Sequence, residues 1–390
     1  MKFSVLTVVL CCLFLAMHGQ FTISDPLTRM GIGERMISGN SSMQAFGTPS
    51  VLALETQCFQ LNNPASYSWM RETAFQASVN ANQSQVFGEK TSDKYYGGQV
   101  GEIAMGFKKA GKPWGFAIGT SDYSRVGYAV DSPFSINDST GGIKHQYGSG
   151  GIHQFTLGSS RMFSFLKDSA HYVSHHISVG ANVNYLFGTL VHNRDLEFQN
   201  TNAYNSRFTK ELRVNDIRWD IGMMYQFPIL GNKRSVVKRG LLLGNIAINY
   251  SPRSSLNSYA SDFGVNYYQY AGVDVTIDTG FSTLNEHRQL IIPSQFSYSF
   301  GLSYLPNNGG YLGLAYSATI QAWKDIDNTS IGWTELDNLN NLHIQTVSID
   351  WSPQSPDRSK NFFGLMRYRA GATILSDYLN TGQDVIERRL

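Results

Sequence analysis

Residues 176–187, with the sequence HISVGANVNYLF, alternate between two kinds of side chain. The odd-numbered positions from Ile177 to Phe187 are all apolar, whereas the even-numbered positions from His176 to Asn184 are polar or glycine. Successive side chains of a β-strand point to opposite faces, so this stretch predicts a strand with one apolar face and one polar face. Its length is close to what a tilted strand needs to cross a bilayer. The stretch therefore predicts one strand of an outer-membrane β-barrel.

The same alternation recurs along the chain and predicts about eleven strands. Short turns such as residues 306–310 connect some of them, whereas residues 193–215 and 251–289 are predicted to be long loops. Short turns at one end and long loops at the other are typical of outer-membrane barrels. The predicted strands are residues 73–81, 99–108, 114–120, 151–159, 172–187, 216–227, 241–250, 294–304, 311–321, 343–351 and 362–374.

A soluble β-sandwich also alternates, but strand length and composition argue against it. Sandwich strands usually have about five or six residues, whereas several strands here have about ten. The charged fraction is 15%, and an average soluble domain has about 25%. The chain has 31 Lys and Arg against 29 Asp and Glu, and this near neutrality argues against a nucleic-acid partner.

The N-terminus has the pattern of a secretory signal peptide. Lys2 precedes an apolar core, residues 5–17, that is too short for a spanning helix. We expect residues 1–19 to be removed by cleavage near Gly19 and the mature chain to reach the bacterial outer membrane. Residues 20–70 have no sustained period, so they are predicted to be a non-strand segment ahead of a barrel at residues 71–390.

Several short motifs follow one another along the chain. They are PLTRMGIGE (26–34), MQAFG (43–47), NPASY (63–67), WGFAIG (114–119), DYSRVGY (122–128), GSGGI (148–152), YLFG (185–188) and YRAG (368–371). In order and spacing they resemble the FadL-like outer-membrane transport proteins of the Bacteroidetes type. The resemblance implies a barrel of roughly fourteen antiparallel strands with an N-terminal hatch in its lumen. Because about eleven strands are visible, either the last few strands are absent or the barrel closes in an unusual way.

The resemblance also implies passive uptake of hydrophobic compounds such as long-chain fatty acids. In such a barrel a kink in the third strand opens the wall, and the ligand diffuses sideways into the membrane. The third strand here is residues 114–120, and its alternation breaks before it resumes at Val126. A break of period next to a glycine indicates a bulge in its own right. The predicted gate residues are Gly119, Thr120, Ser121 and Asp122, and the predicted hatch residues are Arg29, Gly31, Gly33, Glu34, Asn63 and Pro64.

Arg367 and Arg369 share one face of the predicted strand 362–374, and this face is predicted to point into the lumen. The two arginines are candidates for binding a fatty-acid carboxylate. The sequence favours a plainer role, in which they line a polar lumen or pair with a hatch carboxylate such as Glu34.

The sequence contains no nucleophile elbow, zinc-protease motif or phosphate loop, so we predict no enzyme activity, no cofactor and no metal. Two functions remain open: hydrophobic uptake, or a non-transporting structural or docking barrel in a secretion or surface-anchoring complex. The expected partners are outer-membrane lipid, a hydrophobic cargo and other outer-membrane proteins. An apolar cavity between hatch and wall favours transport, whereas a lumen filled with polar side chains favours docking.

Overall fold

A computed structural model describes most of the barrel region and part of the N-terminal segment. The described residues are 26–29, 31–36, 39, 51, 59–87, 92–137, 140–165, 175–199, 203–230, 240–270, 273–306, 309–326, 340–353, 362–376 and 387–389. The predicted signal peptide and much of the predicted hatch lie outside them. Within these ranges, no helix has the length and apolar character needed to cross a bilayer.

The described chain forms one antiparallel sheet, which confirms the predicted all-β class. Its strands follow the order β14-β13-β12-β11-β8-β7-β6-β5-β4-β3-β2-β15, with β1, β9 and β10 attached at the sides. The strands are β1 (Glu34–Arg35), β2 (Ala74–Phe87), β3 (Ser92–Lys108), β4 (Trp114–Asn137), β5 (Thr140–Phe165), β6 (His175–Phe198), β7 (Asn205–Leu230), β8 (Leu241–Ser251), β9 (Ser254–Tyr270), β10 (Val273–Ile292), β11 (Gln295–Leu305), β12 (Tyr311–Gln321), β13 (Leu342–Ser352), β14 (Tyr368–Ser376) and β15 (Glu387–Arg389). Short helices lie at Pro26–Arg29, Pro64–Trp69, Trp323–Asp325 and Phe362–Leu365.

Strands β9 and β10 form a hairpin that prolongs β8 and β11. Two residues starting at Pro252 separate β8 from β9, and two starting at Pro293 separate β10 from β11. Strand β7 is long enough to pair with both β9, through residues 205–214, and β8, through residues 221–230. Because proline cannot donate to a ladder, it is found at such interruptions of a strand.

Burial alternates along the strands as the sequence predicts. In β6, Val179, Val183 and Tyr185 are exposed, whereas Asn182 and Asn184 are buried. Exposed apolar side chains continue around the outward face of the sheet, and we call this belt the apolar band. It indicates the part of the wall that contacts lipid. Its members include Phe107, Phe116, Leu157, Val179, Ile217, Trp219, Met223, Phe300, Leu302, Leu314, Val347 and Ile349.

Four strands, β4 to β7, continue well beyond the apolar band, and β9 and β10 lie entirely beyond it. A bilayer requires about 9 to 11 residues of a tilted strand, whereas β5 and β7 each have 26. The outward face becomes polar beyond the band, with Asp195 2.8 Å from Arg207 and Arg207 3.0 Å from Asp274. We call this region the extension, and it comprises residues 123–137, 140–152, 188–198 and 205–214 together with β9 and β10.

The predicted long loops 193–215 and 251–289 are wrong, because most of both segments is strand. The outward side chains of the extension contact water instead of lipid, so polar residues occur on both faces and the alternation is weak. Strand β10 also contains three register shifts, between Thr276 and Glu286, that change its side-chain parity. The predicted strand 362–374 begins too early, because Phe362–Leu365 is helical.

The sheet ends at β14 on one side and at β15 on the other. Strand β14 pairs with β13, and the three residues of β15 pair with Gln85, Val86 and Phe87 of β2. Within the described ranges, no pairing joins β14 to β2 or to β15. Residues 377–386 lie outside those ranges, so the alternative of absent final strands or an unusual closure stays a prediction.

Residues 59–70 lie on the inner face of the sheet, and we call them the inner segment. Phe59, Leu61 and Tyr67 are buried there against Ala104 of β3 and Ala117 of β4. A segment without strand period thus occupies the lumen beside the wall. The wider hatch assignment, residues 20–70, stays a prediction because much of it lies outside the described ranges.

Candidate functional site: the lumen and the wall gap

Strand β4, the third long strand of the wall, contains a bulge. Its register with β5 shifts between Asp122 and Ser124, which makes Tyr123 an extra residue. Both Tyr123 and Ser124 are buried, so the inward-facing parity changes at this point. The bulge lies directly after the break of period that the sequence shows at residues 119–122.

Strand β4 separates from β3 at the same height. Their pairing ends at Glu102 and Ser121, and no pair between them is described beyond this point although both strands continue. Strand β1 occupies part of the opening, because its two residues pair with Ser124 and Arg125 of β4. We call this opening the wall gap. It is the position at which a lateral route through the wall was predicted.

Two arginines hold Tyr123 at the wall gap. The guanidinium carbon of Arg35 lies 3.3 Å from the centre of the Tyr123 ring, and its Nη1 donates to the Tyr123 carbonyl oxygen at 2.5 Å. From the opposite side, Nη1 of Arg218 donates to the Tyr123 hydroxyl at 3.1 Å. Cation–π contacts and charge-assisted hydrogen bonds fix the bulged residue. The sequence predicts no site role for these three residues, and the break of period at residues 119–122 is the nearest signal to them.

The predicted gate residues lie together next to the wall gap. Gly119 and Ser121 are buried on the inner side, whereas Thr120 and Asp122 have the opposite parity. Oδ1 of the Asp122 carboxylate lies 2.6 Å from Nδ1 of His153, within hydrogen-bond distance. A Cβ atom on Gly119 would lie 2.7 Å from both the Ala104 and the Leu61 side chains. A valine at Gly119 would therefore collide with both the wall and the inner segment.

Asn63 and Pro64 begin the short helix Pro64–Trp69 of the inner segment. The side chain of Asn63 accepts a hydrogen bond from the backbone N–H of Ala65 at 3.1 Å, as a helix cap does. Proline suits the first helical position because its fixed φ is already helical. These two predicted hatch residues are therefore part of the inner segment's own turn.

The other predicted hatch residues lie next to β4. Arg29 ends the helix Pro26–Arg29, Gly31 follows it, and Glu34 is the first residue of β1. Gly33 has a φ of +81°, and a Cβ there would collide with the carbonyl of Arg125. Only glycine meets both conditions without strain. The predicted hatch residues thus form two groups, one at the wall gap and one in the inner segment.

Hydrogen bonds join the inner segment to several wall residues, which include Gln76 and Lys108 as well as Ser160, Ser178 and Asn182. The Tyr67 hydroxyl donates to Oδ1 of Asn182 at 2.8 Å, and Nε1 of Trp69 donates to Oγ of Ser178 at 2.6 Å. The backbone N–H of Ser68 donates to Oγ of Ser160 at 2.7 Å. These buried bonds satisfy polar groups on both the segment and the wall.

Wall glycines allow the inner segment to lie directly on the strands. A Cβ on Gly180 would come within 2.6 Å of the carbonyl carbon of Pro64, and one on Gly106 within 2.5 Å of the Met70 sulfur. Gly115 is covered in the same way by the backbone of Tyr67. Since not even a methyl group fits at these points, the contact leaves no passage between segment and wall there.

Buried polar side chains of the wall form hydrogen-bonded chains on its inner face beside the inner segment. The Thr156 hydroxyl and the Gln154 amide both donate to Oδ1 of Asn184, at 2.8 and 3.1 Å. Nδ2 of Asn184 in turn donates to the Asp220 carboxylate. A second chain of bonds on another part of the wall links Gln226, Asn245 and Ser303.

Arg367 and Arg369 lie beside Asp350 on the inner face of β13, and Asp350 is a carboxylate partner of both. Nε and Nη2 of Arg367 each donate to one Asp350 oxygen at 2.6 Å, and Nε of Arg369 lies 3.6 Å from Oδ2. Asp350 is fully buried. A bidentate pair of this kind satisfies a buried carboxylate. A role of these arginines in ligand binding stays a prediction.

An apolar cluster lies on the inner face of the sheet where the apolar band meets the extension. Ile152, Leu186 and Val214 of the wall pack in one cluster with Trp323. In the extension, Nδ1 of His192 lies 2.9 Å from the Tyr128 hydroxyl. Burial lowers the pKa of His192 to about 4 and raises the pKa of Tyr128 to about 12, so both groups are neutral at pH 7.

A groove of about 460 Å³ lies on the outward face of the apolar band rather than in the lumen. Its walls are apolar and come from strands β7, β8, β11, β12 and β13. The lining includes Phe227, Ile246, Phe300, Leu302, Leu314 and Val347.

An antiparallel sheet with an apolar outward band and a polar, hydrogen-bonded inner face defines an integral β-barrel protein of the bacterial outer membrane. The family model of BamG matches residues 1–388, so the chain belongs to the BamG family. The chain is also similar to a solved protein, described as the crystal structure of a Pseudomonas aeruginosa FadL homologue. That similarity has 8% identity and a TM-score of 0.25, and it covers 88% of this chain and 97% of the other. The curated proteins contain no match.

The finer resemblance to FadL-like transport proteins therefore stays a prediction. A similarity of this low identity and TM-score carries no argument about function, and the family that is shown is BamG.

Proposed function

We propose that the protein is a non-transporting docking barrel that associates with other outer-membrane proteins and has no catalytic role. The observation that carries this proposal is the fit between the inner segment and the wall. At Gly180 and Gly115 the backbone of the segment lies so close to the strands that no side chain fits between them. A barrel that carries cargo along the lumen past the inner segment needs a passage at this place, whereas a docking barrel does not.

The energetics of the inner segment support the same proposal. Moving it aside breaks the buried hydrogen bonds of Tyr67, Ser68 and Trp69 to the wall. Each buried polar group left without a partner costs about 1 to 3 kcal/mol. A transport cycle that repeats this displacement therefore has a large free-energy cost in each turn. The hydrogen-bonded polar chains around Asn184 and Asn245 on the inner face add to the cost.

The extension gives the barrel a large polar surface outside the apolar band. It carries the ion pair of Arg207 with Asp274, whose side chains are both partly exposed and suit contact with water or with another protein. Membership of the BamG family also supports association with other outer-membrane proteins.

The test combines isolation from native outer membranes in mild detergent with reconstitution into liposomes. We expect the protein to run as an assembly heavier than its own 43.4 kDa and to contain another outer-membrane protein in fixed ratio. Liposomes with the wild-type barrel should retain small trapped solutes, whereas Gly180→Ala, which displaces the inner segment, should release them. Gly98→Ala is the matched control, because a Cβ there lies 4.0 Å from its nearest neighbour. A monomer that passes solutes in its wild-type form would contradict the proposal.

Hydrophobic uptake is the second candidate function, because pairing of β3 and β4 ends at the wall gap. If the gap is an exit, strand β1 must leave it when cargo passes. Arg35 and Ser124 are cross-strand partners, so cysteines at both positions can form a disulfide that holds β1 in place. Cys58 is replaced by Ser in this variant to prevent wrong pairing.

On this second function, the oxidised Arg35→Cys/Ser124→Cys variant should lose uptake of a radiolabelled long-chain fatty acid, and a reductant should restore it. The control pair is Ser132→Cys/Lys144→Cys, which links β4 to β5 in the extension. Equal uptake in the oxidised and reduced states would exclude the wall gap as the route.

A further inference from the structure

Strand β10 forms a free edge of the extension. Its 20 residues pair with β9 from Val273 to Ile292, and no other described strand pairs with it. Every residue from Val273 to Gln289 is exposed. A strand edge presents a row of unpaired backbone N–H and C=O groups, which is the template for addition of another strand. The edge is therefore suited to bind an extended polypeptide rather than a small molecule.

An apolar patch lies next to this edge on the inner face of the extension. Phe208 of β7 stacks on Phe281 of β10 with ring centres 6.1 Å apart, and Tyr268 is the cross-strand partner of Val275. Phe208 has the same parity as the buried Val214, which places the patch on the inner face. Exposed apolar clusters outside a membrane mark protein-interaction sites. The exposed members are Tyr268, Tyr270, Val273, Val275 and Phe281.

The irregular shape of β10 argues against a second copy of this chain at the edge. Register shifts follow Thr276, Thr279 and Thr283, and bulges of this kind prevent the regular pairing of two identical edges. Two regular stretches remain, residues 273–276 and 286–292. A short strand from a different protein can pair with either of them.

We propose that the β9–β10 hairpin is the docking surface of this barrel, and that β10 accepts an extended segment of another outer-membrane protein as an additional strand. The incoming strand has alternating side chains, with its apolar face on the patch of Tyr268 and Phe281 and its polar face towards water. Because β10 continues directly into β11 of the wall, a partner anchored in the same membrane lies within reach of the edge. This inference rests on the proposed docking function.

Hydrogen exchange tests the edge in the full-length protein. The native assembly, isolated in mild detergent, is compared with the protein separated from it by a stronger detergent. We expect the amides of residues 273–276 and 286–289 to exchange roughly tenfold more slowly in the assembly, because a new strand protects them. Amides of β6, which has partners on both sides, should not change.

Each other outcome overturns the inference in a distinguishable way. An intact assembly with unchanged exchange at β10 places the docking surface elsewhere and leaves the docking function standing. Protection of β10 in an assembly of this chain alone makes a second copy the occupant. Failure to find any assembly overturns both the inference and the proposed function.

A matched pair of variants tests the patch. Tyr268 and Tyr259 lie in the same strand with 42% exposure each, but Tyr268 has inward and Tyr259 outward parity. We expect Tyr268→Lys to reduce the recovered assembly roughly tenfold, because it places a charge on the patch. Tyr259→Lys should change recovery by less than about twofold. Equal recovery from two barrels that both show the heat-dependent gel shift of a folded barrel rejects the patch. If Tyr268→Lys does not fold, the exchange measurement decides alone.

Discussion

The apolar band and the extension are built by the same strands but meet different solvents. In β6 the outward positions Val179, Val183 and Tyr185 lie in the band, and the outward positions Asn193 and Asp195 lie in the extension. The register between β5 and β6 runs without a shift through both regions. In this pair of strands the backbone therefore does not distinguish the two regions. The outward side chains alone determine where the wall meets lipid and where it meets water.

The inner face shows the opposite behaviour. Buried side chains continue from Asn182 and Asn184 in the band to Leu190 and His192 in the extension. Their surroundings are the packed lumen in both regions, so they change from polar to apolar according to their partners and not according to the membrane. The polarity of the outward side chains therefore follows the surrounding solvent, whereas the polarity of the inward side chains follows their packing partners.

The largest effect should come from a charge in the band. Val179→Arg places a guanidinium on the lipid-facing side of β6, which costs about 2 to 4 kcal/mol near the bilayer midplane. Val191→Arg changes the same residue type on the same face of the same strand, but in the extension. We expect it to cost less than about 0.5 kcal/mol. The measurement is the free energy of unfolding in lipid vesicles, and equal losses would erase the distinction between the two regions.

The sequence could predict the band because lipid forces a regular alternation on the outward face. It missed the extension, since water permits polar residues on both faces and three bulges interrupt β10. In β4, the break of period at residues 119–122 lies directly before the bulge at Tyr123. The partners of Tyr123 could not be found, because Arg35 and Arg218 are 88 and 95 positions away in the chain and only the folded register brings them together.

The pairing of Arg367 with Asp350 could not be predicted from the sequence for the same reason. The shared face of Arg367 and Arg369 was readable, but Asp350 becomes their partner only through the alignment of β13 with β14. Strand parity can be read from one segment, whereas contacts between segments require the register of both.

The second-largest effect should be a loss of stability of the extension at acidic pH. The folded pKa of His192 is about 4, below its ordinary value of 6.5, because burial disfavours the charged ring. The opened state therefore binds more protons between these values, and stability is lost as the pH falls from about 6.5 towards 4. The free energy of opening should decrease by up to about 3 kcal/mol across this window. Limited proteolysis of the extension at different pH values measures the decrease.

Two other histidine variants make this pH effect specific. His192→Asn removes the titrating ring, so its proteolysis rate should depend less on pH than that of the wild type. His145 has the opposite sign, because its hydrogen bond to Asp131 raises its pKa and its contribution is lost as the pH rises. His145→Asn should therefore leave the acid sensitivity in place. Identical pH profiles of wild type and His192→Asn would refute the assignment.

The third effect lies on the inner face, where packing rather than solvent decides. Gly180→Ala forces the backbone of Pro64 away from β6, and overpacking of this kind costs about 1 to 3 kcal/mol. Gly98→Ala on β3 has open space and should be close to neutral. The difference in unfolding free energy between the two variants measures how firmly the inner segment is packed. Similar stabilities would mean that the segment moves away readily, which would favour transport over docking.

The smallest effect should come from an ion pair on the outward face of the extension. Asp274 of β10 lies 3.0 Å from Nη2 of Arg207, and both side chains are about one-third exposed, at 34% and 33%. Exposed pairs of this kind contribute about 0.2 to 1 kcal/mol, and salt screens them because the charges are in contact with water. Asp274→Asn should therefore destabilise the extension slightly at low salt and by an undetectable amount at high salt. Asp278→Asn on the same strand is the control, since no ion pair is described for Asp278 within the described ranges. If the loss at Asp274 persists at high salt, the outward face of the extension is not in free contact with water, and its contrast with the apolar band is smaller than the structure indicates.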